Sequence, residues 1–309
     1  MATLLLDHPS FAAHQTAPGH PERPDRYRVV EAVLKRPEFD SLVREKAELA
    51  DLETTRYVHS NRYVDALEAA RPEHGHVYLD GGDTMMEPST WEVVLRAVGG
   101  TLQAVDKVLA GEVQNAFVAC RPPGHHAETE RAMGFCLFNN ISIGARHAQH
   151  KHGLTRVAIV DFDVHHGNGT QEIFYSEPDV LYASTHQMPL FPGTGAVREA
   201  GVGNIFNSPL APGDGGAELR AAFEQRILPA LDAFSPELII VSAGFDAHER
   251  DPLGSLTMTA DDFAWVTREL MKSAEQLCDG RLVAVLEGGY DLQGLADSVA
   301  AHVGELLKG

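Results

Sequence analysis

Hydrophobic residues fall along the chain in short unbroken runs, each ending in polar, charged or glycine-rich positions. These are TLLLDH at 3–8, NAFVACRPPG at 115–124, RVAIVDFDVHHGNG at 156–169, VLYASTH at 180–186, LIIVSAGFD at 238–246 and RLVAVLEGGY at 281–290. Runs without polar alternation suit strands covered on both faces. Segments of helical period lie between them. Leu219, Phe223, Ile227, Leu231 and Phe234 recur at spacings of three and four over 216–234, which predicts an amphipathic helix. A second helix is predicted over 259–279. It is capped by Thr259 and Asp262, carries Phe263, Val266, Leu270, Ala274 and Leu277 on one face, and stops at Gly280. Such alternation predicts an α/β fold with a mostly parallel sheet. No linker, repeat or shift in composition divides the chain, so one domain over 1–309 is expected.

Ligands of open α/β sheets bind beyond the carboxyl ends of the strands. The residues just after each apolar run are His125 and His126, then Asp161, Asp163, His165, His166 and Asn168, then Ser184 and His186, then Asp246 and His248, and last Tyr290. Asp161, Asp163 and His165 alternate along one strand end, so the period of two puts them on one face, where they can share an ion. Asp246 can complete a three-ligand site with Asp163 and His165 and leave a position open, as catalytic zinc requires. The same donors tolerate Fe(II) or Mn(II). The adjacent His125 and His126 pose a different problem, because helices and strands both drive neighbouring side chains apart. A loop stiffened by Pro122 and Pro123 and released at Gly124 would bring both rings to one spot.

Composition narrows the chemistry. With 44% hydrophobic and 22% charged residues over 309 positions, this is an ordinary globular chain with a full core. Its three cysteines lack CxxC spacing, so a metal must be held by His, Asp or Glu. The excess of 44 acidic over 25 basic residues, a formal charge of -19, disfavours nucleic acid and anionic lipid and suits a cationic partner. Asp7 interrupts the early leucine run and no basic residue precedes it, so neither a signal peptide nor a membrane span is read and a cytoplasmic location is expected. His147, His150 and His152 in RHAQHKHG read as a solvated helix face, and His74 and His76 as loop residues, with no metal at either cluster. His248, beside Glu249, Arg250 and Asp251, reads as part of an exposed rim loop, and His166 as structural.

Jointly, GHPERPDR from residue 19, RPPGHHA, GFCLFNN, VDFDVHHGNGT, FPGTG, SAGFDAHERDPLG and EGGY at 287–290 resemble the zinc-dependent histone deacetylases and acetylpolyamine amidohydrolases of the arginase-deacetylase fold. The resemblance spans nearly the whole chain. It implies a single α/β domain with a central eight-stranded parallel sheet. By this resemblance Asp163, His165 and Asp246 bind catalytic Zn²⁺, which polarises the substrate carbonyl and acidifies a bound water. His126 is then the general base and His125 its electrostatic or acid partner. Asp161 stands behind His125, and Asn168 behind His126 as in class II enzymes, each fixing a tautomer. Tyr290 donates to the developing oxyanion, Phe135 and Phe191 wall a narrow acyl channel, and Gly134 allows close approach of the substrate. Asp161, Asp163, His165, Ser184 and Thr185 surround a structural K⁺, and Arg26 lies at the inner end of the channel, where it attracts acetate. Leu253 stands where polyamine-selective relatives carry Glu, and Asp83 sits at the rim to hold the substrate backbone or amide N–H. The implied activity is hydrolysis of the acetyl amide of acetyl-lysine in a peptide or protein, with small acetylated amines such as polyamines as the alternative. An arginase-like binuclear manganese site would need more bridging carboxylates than SAGFDAHERD supplies.

Overall fold

The computed structural model describes residues 2–309. The six apolar runs become β1 (Thr3–Asp7), β5 (Asn115–Val118), β6 (Val157–Asp161), β7 (Val180–Gln187), β9 (Leu238–Ala243) and β10 (Leu282–Leu286). Two further strands, β2 (Val43–Lys46) and β8 (Ile205–Leu210), complete an eight-stranded sheet of order β2-β1-β5-β10-β9-β6-β7-β8 in which every pairing is parallel. Strands β3 (Val77–Tyr78) and β4 (Met85–Met86) form a small antiparallel pair apart from it.

Helices cover both faces, as a parallel sheet of apolar strands requires. They are α1 (Pro24–Leu34), α2 (Asn61–Ala69), α3 (Thr90–Leu109), α4 (Asn140–His152), α5 (Asn168–Phe174), α6 (Gly216–Ala222), α7 (Leu228–Phe234), α8 (Ala260–Cys278) and α9 (Leu292–Leu306). Alternation along β10 divides the core. Val283 and Val285 enter the layer shared with Ala97 and Val105 of α3 and Ile141 of α4, whereas Leu282, Ala284 and Leu286 pack with Val266 and Leu270 of α8 and Val299 of α9. Each fully buried Val or Leu there is worth about 1.5–3 kcal/mol relative to exposure.

The helix predicted over 216–234 is interrupted once. Phe223–Ile227 forms a π turn between α6 and α7, one residue short of Pro229. Proline lacks an N–H and crowds the carbonyl four residues back, and the wider turn accommodates it. The helix beginning at 260 has the expected capping box, in which Asp262 Oδ2 accepts from the Thr259 backbone at 2.9 Å. It ends with Asp279 and Gly280 both at positive φ.

Because β5, β10, β9, β6 and β7 are consecutive neighbours, their carboxyl ends open onto one edge. Asp161, the last residue of β6, lies opposite Ser184 of β7 and Ser242 of β9. Sheet register therefore gathers residues far apart in sequence.

Candidate active site

The two histidines occupy a turn after β5, closed by the bond from Ala127 N–H to the Gly124 carbonyl at 3.1 Å. Their ring centroids are 4.1 Å apart, and both side chains are buried. His125 Nδ1 meets Asp161 Oδ2 at 2.9 Å, and His126 Nδ1 meets Asn168 Oδ1 at 2.8 Å. Asn168 Nδ2 donates to Glu128 Oε1 at 2.7 Å, which orients its amide so that the oxygen faces His126. Each ring thus donates Nδ1–H backwards and leaves Nε2 for the cavity side. Burial lowers the His125 imidazole, but the Asp161 and Asp163 carboxylates outweigh it and push the group up to about 10. Burial, reinforced by the charges of His125 and His165, instead holds His126 well below its ordinary value. The two rings are thus pushed in opposite directions, His125 toward the charged form and His126 toward the free base.

Asp163, His165 and Asp246 bring a donor nitrogen and two carboxylate oxygens within 4.8 Å of one another. His165 Nδ1 lies 3.1 Å from Asp163 Oδ1 and 3.0 Å from Asp246 Oδ2. The remaining oxygens are held by backbone: Gly288 N–H donates to Asp163 Oδ2 at 2.8 Å and Val164 N–H to Asp246 Oδ1 at 2.8 Å. Burial, and then the neighbouring Asp163 charge, raise the Asp246 carboxyl to about 7. Two buried carboxylates crowded onto one imidazole are what a divalent cation relieves, and this donor set fits zinc with a position left open. A Cβ on Gly288 would strike Asp246 Oδ2, so only glycine allows the segment after β10 to pass this close.

A cavity of about 360 Å³ leads down to these groups, lined by Phe135, Phe191, Gly134, Leu253, Asp83 and Tyr290, and also by His20 and Pro21. Gly134 and Phe135 both have positive φ, 57° and 70°. A Cβ at Gly134 would strike the His126 ring. The Phe135 ring packs edge-on against Tyr290 at 5.8 Å and His20 at 4.7 Å, and Phe191 against His126 at 5.1 Å. Burial, as the largest cause, holds the Tyr290 hydroxyl well above its usual value, so it stays a donor.

A profile of the histone deacetylase domain matches residues 20–306. The chain belongs to the histone deacetylase family. It is 41% identical over 301 residues to a protein of Oryza sativa named histone deacetylase 10, chloroplastic, covering 91% of this chain and 68% of that one. A probable deacetylase of Archaeoglobus fulgidus is 40% identical, over 95% of this chain and 83% of its own. The human polyamine deacetylase HDAC10 is 38% identical across 99% of this chain but 48% of its own. The crystal structure of an HDA15 HD domain superposes with a TM-score of 0.94 at 36% identity, covering 99% of this chain and 88% of that one. Histone deacetylases are amide hydrolases and in general zinc-dependent, in keeping with the donor set above.

Some deacetylase-site groups escaped the sequence reading. The buried Glu287 of EGGY accepts the backbone N–H groups of Gly124 at 2.6 Å and His125 at 3.2 Å, clamping the tandem-histidine turn, and burial lifts its carboxyl to about 7. Its only sequence signal was an acid directly after an apolar run. Glu22 and Arg121 form a fully buried bidentate pair at 2.7 Å in each contact. Arg26, which the sequence reading did single out, lies behind Tyr290, with its guanidinium carbon 4.8 Å from that ring's centroid, and donates to Gly289 O at 2.6 Å, to Glu287 O at 2.5 Å and to Glu22 at 3.3 Å.

Two readings of outlying histidines are corrected. His248 is buried, 7% exposed, because Asp251 folds the SAGFDAHERD segment back against Tyr290. Nor is the RHAQHKHG segment a uniformly solvated face: His147 is buried against α3, where Asp106 receives it. His166 is structural as read, bonded to Thr194 Oγ1 at 2.7 Å and Gln171 Oε1 at 3.1 Å.

Proposed function

We propose that the chain is a zinc-dependent class II-type deacetylase that hydrolyses the acetyl amide of lysine side chains to acetate and free amine, with residues 1–309 acting as one catalytic domain. The observation that carries the substrate assignment is Leu253 on the cavity wall, an apolar group where selection of a polyamine's second ammonium would call for a carboxylate. The flat aromatic slot between Phe135 and Phe191 suits a neutral N-acyl chain, and Asp83 at the rim suits a substrate N–H.

Held by Asp163, His165 and Asp246, Zn²⁺ would supply Lewis acidity toward the amide carbonyl and acidify water. The protein's own groups do the rest. His126 takes the water proton at Nε2, because Asn168 holds its other proton at Nδ1 and no anion faces it directly. His125, kept protonated by Asp161, stabilises the negative charge that develops. Tyr290 donates its O–H to the forming oxyanion. A proton from the histidine pair then passes to the departing nitrogen as the C–N bond breaks. Arg26, buried behind Tyr290, keeps a positive charge at the inner end of the site, where it favours acetate. Asp161, Asp163, His165, Ser184 and Thr185 would hold K⁺. In favour of this, Thr185 Oγ1 is buried without a partner among the described residues.

Among the described residues no helix is long and apolar enough to cross a membrane. The three cysteines are free and buried, which suits a reducing compartment such as the cytoplasm. A second reading, a small acetylated polyamine as substrate, is favoured by the formal charge of -19 and by the printed name of the human relative. Comparison of kcat/KM for the zinc-loaded protein on an acetyl-lysine peptide and on an N-acetylated polyamine decides between them. Preference for the polyamine would overturn the lysine assignment and leave the amidase chemistry intact.

A further inference from the structure

Away from the catalytic edge, three metal-ligating side chains converge where α4 ends against α3. Asp106, in the last turn of α3, accepts at Oδ1 from His147 Nε2 at 2.8 Å and from His152 Nε2 at 2.6 Å. Lys151 Nζ lies on the other oxygen, Oδ2, at 2.7 Å. The candidate donors of Asp106, His147 and His152 all lie within 4.8 Å of one another. Among the described residues this is the one such group apart from the Asp163, His165 and Asp246 set.

Contrary to the expectation of no metal at these histidines, we propose that Asp106, His147 and His152 form a second site, for a borderline divalent cation such as zinc. Two imidazole nitrogens and one carboxylate oxygen are a donor set that zinc, cobalt and nickel share, and with solvent they complete a four-coordinate shell. The surroundings allow it. The three residues open onto a surface cleft of about 450 Å³ that is also lined by Glu48 and Glu112. The side chains of His152 and Asp106 are 24% and 32% exposed, so an ion reaches them from water. The carbonyl end of α4 adds a favourable field for a cation.

The site should bind more weakly than the catalytic set. Once Nε2 is a ligand, a neutral ring carries its proton on Nδ1, and His147 Nδ1 is buried with no acceptor among the described residues. The outer acceptor that usually orients and strengthens a metal-bound histidine is thus missing. Lys151, 55% exposed, can stay on Oδ2 or swing into solvent without blocking Oδ1.

The test is a count of ions. Zinc-loaded protein is dialysed to equilibrium against micromolar zinc, and zinc per chain is measured for wild type, Asp106→Asn and His152→Gln, with acetyl-lysine peptide kcat/KM taken in parallel. The expected result is one more zinc in wild type than in either variant, removed by a weak chelator before activity falls, and kcat/KM unchanged within about 2-fold. An equal zinc count in wild type and His152→Gln overturns the site, whatever Asp106→Asn does. His152→Gln also guards against a folding defect at Asp106, since it leaves the His147 and Lys151 contacts of that carboxylate in place.

Discussion

Asp251 Oδ2 accepts the backbone N–H of Tyr290 at 2.6 Å, and Asp251 Oδ1 accepts that of Leu253 at 3.0 Å. One carboxylate therefore ties the wall residue Leu253 to the residue that would donate to the oxyanion. Asp251→Ala is expected to lower kcat by about 10-fold to 100-fold through misplacement of the Tyr290 hydroxyl, with KM changing less. Asp251→Asn should fall between, because its carbonyl oxygen can still accept from Tyr290. Steady-state kinetics check this, and an unaltered kcat in Asp251→Ala would remove the positioning role.

Tyr290→Phe removes the hydroxyl but keeps the ring that packs on Phe135 and over Arg26. Loss of one oxyanion donor costs roughly 10²-fold to 10³-fold. That loss should appear in kcat with KM nearly constant, and Tm should hold. A variant with full kcat would exclude Tyr290 as the donor.

Asp246→Ala deletes one of the two carboxylates facing His165. The purified variant should retain little metal at the catalytic site and lack activity. Metal analysis combined with Asp106→Asn, so that any second ion is absent, should give close to zero zinc per chain. One full equivalent in that double variant would refute the ligand set.

Leu253→Glu places a carboxylate on the cavity wall. The ratio of kcat/KM for an N-acetylated polyamine over an acetyl-lysine peptide should rise by about 10-fold or more, equivalent to about 1.4 kcal/mol. A ratio that does not move would show that Leu253 does not set selectivity.

His302 is fully buried among Phe117, Phe162 and Phe245, and its Nδ1 lies 2.7 Å from Thr267 Oγ1. Burial lowers it to about 3. As pH falls below 6.5 the unfolded chain takes up this proton before the folded one does. The stabilisation is therefore complete above 6.5 and is lost progressively down to about 3. His302→Phe should flatten this part of the stability curve, and at pH 4.5 the difference from pH 7 should shrink by about 2–3 kcal/mol. Thr267 keeps its bond to the Phe263 carbonyl at 2.6 Å, so the variant should fold. Denaturant melts at the two pH values measure it, and parallel curves for both proteins would count against the assignment.

The apolar runs by themselves determined six central strands and the catalytic edge, because a strand covered on both faces must be apolar throughout and its polar end marks where cover stops. They could not disclose β2 or β8. Val43–Lys46 is charged and mostly exposed, and Ile205–Leu210 contains Pro209; both are edge strands, where charge and proline are tolerated since one side of the ladder is unpaired. The spacing of Asp161, Asp163 and His165 reads as one face of a strand, but β6 ends at Asp161, so Asp163 and His165 come together with Asp246 from the bend that follows, while Asp161 turns to His125. Tertiary structure alone decided how these carboxylates are used: the buried Glu287 under the tandem histidines, Glu22 on Arg121 and Asp251 on Tyr290, and the half-exposed Asp106 on His147. In sequence none of them points to its partner, which lies 39 to 163 residues away. Periodicity encodes which face of an element is buried, but a hydrogen bond between distant elements depends on the register in which the sheet and helices assemble, and that register exists only in the folded chain.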